Sequence, residues 1–258
     1  MARTTPATSL VLSFTLAFLA AAPASAQTAA PAPVEVARGA EKKLDAYQTA
    51  EARVALQPVA EQAAANADVA VALGRLLEQE RKYEESTKVL RKAAEAAPSD
   101  ARVPLALGET LLRLRKSSEA EAAFRQAADL ASRAASARPS DAGAFLAKGT
   151  ALSRLRRYDE AIEALGKARE LDGGNAATLY QMGATRAFQQ KWSEAVDLLG
   201  QALGKDPGMA LAYYYRGLAH EKLGRKDLMV LDLDRFVKVA ASAPEADRAR
   251  ALLAASSR

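Results

Sequence analysis

The sequence predicts an all-α protein, a solenoid of stacked antiparallel helical hairpins, on three observations. First, Gly74, Gly108, Gly149, Gly183 and Gly217 recur at intervals of 34, 41, 34 and 34 residues, each within an otherwise helical pattern. A glycine inside a helix costs about 1 kcal/mol relative to alanine, so its return at fixed spacing marks a packing need that offsets the loss. Second, with each glycine at position 8 of a unit, position 20 reads Ser86, Ala120, Ala161, Ala195 and Met229. Position 24 reads Leu90, Phe124, Leu165, Leu199 and Leu233, and position 27 reads Ala93, Ala127, Ala168, Ala202 and Phe236. Third, the 258 residues are 50% apolar but only 5% aromatic, a composition for helices cored by alanine and leucine.

The elements follow in chain order. Residues 1–26 have the form of a secretory signal peptide: Arg3, an apolar stretch from Leu10 to Ala22, then Ala24-Ser25-Ala26 before Gln27. That stretch falls short of the roughly 20 residues that span a bilayer, so cleavage after Ala26 is expected rather than a permanent anchor. The expected location is exported, the periplasm first and the extracellular medium as the alternative, with no membrane contact after cleavage. Residues 27–34 are a Pro- and Ala-rich linker. Residues 35–66 have a helical pattern broken by Pro58, either an N-terminal cap or a degenerate repeat. Five units then occupy 67–100, 101–141, 142–175, 176–209 and 210–243, and 244–258 form a C-terminal capping helix.

Within a unit, positions 4, 7, 8 and 11 make one stripe on a first helix, and positions 17, 20, 24 and 27 make one on a second. Small residues at 8 and 20 let the two backbones approach closely. Pro98-Ser99-Asp100 and Pro139-Ser140-Asp141 close one hairpin and open the next. The long second unit carries seven extra residues within 127–138, close to two helical turns, so its stripe should continue through Leu130 and Ala134. No hairpin of this kind buries both its faces, so neighbours must stack.

These positions resemble the tetratricopeptide repeat over about residues 67–243. The resemblance implies a right-handed superhelix with an inner groove lined by the first helix of each repeat, and an activity of recognition. In the family, position 5 faces the groove, and here it reads Val71, Leu105, Leu146, Tyr180 and Tyr214. Position 13 faces it too, and reads Gln79, Arg113, Arg154, Phe188 and Lys222. An apolar and aromatic stripe flanked by cations suits a peptide or protein partner with acidic residues. In Tyr213-Tyr214-Tyr215 the expected division puts Tyr213 in the core, Tyr214 on the groove and Tyr215 farther round the helix. Position 9 reads Arg75, Glu109, Thr150, Ala184 and Leu218 without the asparagine of family members that clamp a terminal carboxylate, so that mode is disfavoured.

Nothing in the sequence points to an enzyme, a cofactor or a metal. There is no cysteine and one histidine, His220, on a packing stripe. Gly166-Lys167 and Gly204-Lys205 lack the rest of a phosphate loop. Asp232 and Asp234 lie two apart on a helix and point nearly opposite ways, so both are expected at the solvent side or at the core edge. The net charge of +5 is spread through interleaved acidic and basic residues, which argues against nucleic acid. The reading is an exported scaffold that binds a partner in its concave groove, in cell-envelope assembly or secretion. The alternatives are a groove that holds a glycan or small molecule, and a structural subunit that forms homo-oligomers through its terminal hairpins.

Overall fold

The computed structural model describes residues 31–256, so the signal peptide expected at 1–26 and most of the linker lie outside the described residues. Helix α1 (Pro33–Asp45) begins two residues earlier than the sequence pattern places it, with its proline in the first turn, where a missing N–H costs nothing. It pairs with α2 (Thr49–Leu56), which tightens into a 3₁₀ helix over Gln57–Ala64 at Pro58. The remaining helices are α3 (Ala67–Gln79), α4 (Tyr83–Ala96), α5 (Arg102–Arg113) and α6 (Ser117–Ala137). They continue as α7 (Ala142–Arg154), α8 (Tyr158–Asp172), α9 (Ala176–Phe188), α10 (Trp192–Lys205), α11 (Ala210–Lys222), α12 (Lys226–Val239) and α13 (Ala246–Ser256). Each odd helix from α1 to α11 packs on the following even one, and each hairpin packs on the next. No strand occurs among the described residues.

A second ladder runs beside the glycines. Between the two helices of each hairpin the chain reverses through one left-handed residue: Tyr47, Arg81, Arg115, Arg156 and Gln190, with φ from 53° to 63°, and Gly224 at 71°. The next residue's N–H then reaches back to a carbonyl in the last turn, as in Lys82 to Leu77 (2.8 Å), Arg157 to Leu152 (2.9 Å) and Arg225 to His220 (2.9 Å). This is a Schellman cap, which satisfies carbonyls that the helix end would leave unpaired. The same bond joins Gln48 to Lys43 at 2.8 Å, so the α1/α2 hairpin has the turn geometry of the other five. At the opposite end of the hairpins, Asn66, Asp141 and Asn175 cap α3, α7 and α9 by accepting backbone N–H bonds.

The core is a column of alanine and leucine between the helix pairs. Leu90, Leu165, Leu199 and Leu233 are fully buried against the glycine of their own hairpin. Two buried hydroxyl contacts stitch neighbouring hairpins: Ser86 Oγ to Thr110 Oγ1 at 3.0 Å, and Thr185 Oγ1 donating to Ser153 Oγ at 2.9 Å. The seven extra residues lengthen α6 to 21 residues. Its buried stripe runs on through Ala131 and Ala135 rather than Leu130 and Ala134, because Ala131 sits in the seam beside Ala101 and Ala147, with Leu130 on its flank.

Candidate functional site

The concave side of the superhelix is a cleft of about 460 Å³, built from the first helices of successive hairpins. Val71, Leu105, Leu146 and Tyr180 line it, each from position 5 of its unit, so one residue per unit repeats along the wall. Gln79, Arg113 and Arg154 line it from position 13.

Five expected placements differ. Tyr214 does not reach the cleft: it is 4% exposed and packs on Phe236, with ring centroids 5.1 Å apart. The last hairpin has no further repeat behind it, and the cap around α13 occupies that side instead. Tyr215 takes the cleft position, 6.2 Å from the Tyr180 ring and 5.3 Å from Tyr214. Tyr213, expected in the core, is half-buried; its hydroxyl donates to the Pro207 carbonyl at 3.2 Å, and Arg216 lies over its ring. Lys222 is exposed at the end of α11 and pairs with its neighbour Glu221 at 3.3 Å, away from the cleft. Phe188 is half-buried behind the wall, where it stacks edge-on against Tyr215 at 5.6 Å and lies under the Arg154 guanidinium at 5.7 Å.

The cations expected to flank the apolar stripe are already held. Arg113 bridges Glu78 and Glu245 at 3.1 Å each and Arg154 bonds Glu109; Arg75, a cleft cation from position 9, bonds Asp45 at 2.6 Å. Burial opposes the charge on Arg154, but Glu109 holds it ionised. Burial also lifts Glu78 above the ordinary carboxylate range, aided by Glu109 and opposed by Arg113. Glu41 is raised by burial against the pull of Arg75. The cleft therefore presents paired charges of both signs, and the expected preference for an acidic partner loses its free cations. Burial raises the phenols of Tyr180 and Tyr215, so both remain neutral donors at physiological pH. Neither hydroxyl hydrogen-bonds a described residue.

Sequence reasoning also missed Asp232. It is 2% exposed, and both its oxygens accept from Arg216, at 2.6 and 2.8 Å. The sequence signal was the Arg216 side chain sixteen residues earlier, facing it from α11. Asp234, on the other side of α12, pairs with Lys238 at 2.7 Å near the surface. Among the described residues no group of carboxylates and histidines could hold a metal, and no helix is long and apolar enough to cross a membrane.

Tetratricopeptide-repeat family models match residues 67–100, 105–176 and 180–228, more than half of the chain. No curated protein matches it. Among solved structures, a thermophilic protein of these repeats from Thermus thermophilus, TTC0263, is 18% identical with a TM-score of 0.55 over 72% of this chain and 96% of its own. YrrB, described as having an unusual peptide-binding site, is 21% identical with a TM-score of 0.41 over 76% of this chain and 97% of its own.

Proposed function

Because the chain belongs to the tetratricopeptide-repeat family, we propose that it is a non-enzymatic, exported scaffold whose cleft receives a peptide or protein partner in the cell envelope, in assembly or secretion. The family's scaffold fold supports protein interaction in general; the particular site and setting are our reading. One observation carries the site: Leu105, Leu146, Tyr180 and Tyr215 form a continuous apolar wall with two free phenol donors on it. Apolar area gives such a surface its affinity, and a few polar groups fix the register of what binds. The arginines contribute in a different way. Since Glu78, Glu109 and Glu245 already hold them, a partner's carboxylate would have to displace an internal one, so aromatic and aliphatic contact dominates. The leader-like sequence of residues 1–26 supports export, with the periplasm as the first location and the medium as the second.

The test is capture from envelope extract by the wild type and by the Tyr180→Ala, Tyr215→Ala double variant. A protein retained by the wild type and released by the folded double variant supports the cleft. Equal retention by both sinks it, and retention of a glycan or small molecule instead moves the reading to a ligand-binding protein.

A further inference from the structure

The two ends of the superhelix meet across the mouth of the cleft. Arg113, on α5, donates to Glu78 beside it and also to Glu245, which precedes α13, each at 3.1 Å. Arg81, in the first turn after α3, donates to the Ser242 carbonyl at 3.3 Å. Tyr47, the left-handed turn residue of the first hairpin, packs against the C-terminal apolar cluster of Ala210, Tyr214 and Phe236. A Cβ at Gly208 would lie 3.6 Å from the Ala46 Cβ. Four contacts thus join the first three hairpins to the last, and the cleft is lined from both sides of the seam, by Leu44 and Tyr47 as well as by Leu211 and Tyr215.

We propose that this ring is a latch: the Glu78–Arg113–Glu245 clasp holds the second and third hairpins against the C-terminal segment, closing the cleft, and its release opens the groove. Two features make the closure reversible. The seam is a handful of side chains rather than a packed helix face, so little apolar area is lost when it parts. In addition, Glu245 Oε2 is buried with no hydrogen-bond partner. A buried acceptor left unbonded opposes the closed state, and opening would return it to water. Closure depends on charge pairs that are about a third exposed on the arginine side, so it weakens as salt rises. That an opened groove admits a partner rests on the function proposed above; the closure itself does not.

The chain contains no cysteine, which makes the test clean. Ala46→Cys with Gly208→Cys places two Cβ atoms at a separation suited to a disulfide. We expect the oxidised double variant to form an intramolecular bridge, seen by mass and by faster migration in a non-reducing gel. Adding Glu245→Gln should slow bridging about tenfold, as loss of a charge-assisted hydrogen bond implies. About 1 M salt should do the same. Without the cysteines, Glu245→Gln should raise the radius of gyration measured by X-ray scattering. Arg81→Ala, which removes the seam's separate bond to the Ser242 carbonyl, serves as a second variant on the exposed side, and circular dichroism confirms that each remains folded. Failure of the parent pair to bridge would show that the ends do not meet. Bridging and scattering unchanged in both variants would show that the clasp and the Arg81 bond do not govern closure. Neither result touches the capture experiment, which tests the cleft with the ring free to open.

Discussion

Gly149 faces Leu165 so closely that a Cβ on the glycine would lie 2.5 Å from Leu165 Cγ, and 2.9 Å from the backbone carbonyl of Ala161. Side chains can turn away from such an approach, but a helix backbone cannot. Gly149→Ala should therefore force α7 off α8 and destabilise the protein by about 1–3 kcal/mol despite the better helix propensity of alanine. The matching glycine of the first unit, Gly74, meets only the branched end of Leu90, at 3.0 Å. Gly74→Ala should cost clearly less. Gly166, in α8, has nothing within 4 Å of an added Cβ, so Gly166→Ala should stabilise by about 0.5–1 kcal/mol. Thermal unfolding of the three variants checks the order, and Gly149→Ala melting no lower than Gly74→Ala would refute it.

Asp232 and Asp234 are alike in sequence and opposite in consequence. Asp232→Ala strands the Arg216 guanidinium next to the core, and should cost about 3 kcal/mol, or roughly 6–12 °C in melting temperature for a chain of this size. Asp234 makes a single pair at the surface, and Asp234→Ala should change stability by less than about 0.5 kcal/mol. Similar losses from the two would mean that the Asp232–Arg216 pair is not a buried support of the last hairpin.

His220 should make stability depend on pH. Its imidazole is 5% exposed; burial lowers its pKa from 6.5, against the attraction of Asp232 at 3.8 Å and with a further push from Arg216 and Arg225. The unfolded chain takes up the proton first as pH falls, so this stabilisation is complete above about pH 6.5 and is lost as pH drops through the folded value. Glu41 and Glu78, raised by burial, act with the opposite sign at lower pH. The histidine's share is thus the difference between wild type and His220→Gln in calorimetry from about pH 7.5 down to about pH 5.5. Wild type should lose more melting temperature over that interval; parallel curves would count against a buried neutral imidazole.

Much of the fold was legible because its strongest constraint, close helix contact, demands one residue type at one spacing. Glycines at 74, 108, 149, 183 and 217 therefore announce the hairpins directly. The turn ladder was not legible, since Tyr47, Arg81, Arg115, Arg156 and Gln190 adopt a conformation that favours glycine, and they carry no glycine signature. Their strain is offset by the carbonyls each cap satisfies. The sixth hairpin was obscured in the same way, because Ala40 and Ala52, both fully buried, do the work of glycine and a small residue there. In the site, position 5, taken from the family resemblance, falls on the cleft wall at Val71, Leu105, Leu146 and Tyr180, where each unit has a neighbouring repeat on both sides. It failed at Tyr214, where the repeat ends and a cap takes the neighbour's place.

The sequence by itself determined the all-α hairpin architecture and the register of its helices, because those follow from periodic steric rules between residues near in the chain; which helix of each pair forms the inner wall came from the family resemblance. Only the tertiary structure decided that the arginines of the wall are already paired and that Tyr215 rather than Tyr214 joins Tyr180. It alone decided that Arg113 meets Glu245 across the closed ring. Those relations depend on the accumulated curvature of six stacked hairpins, a small rotation at each interface that no single repeat encodes.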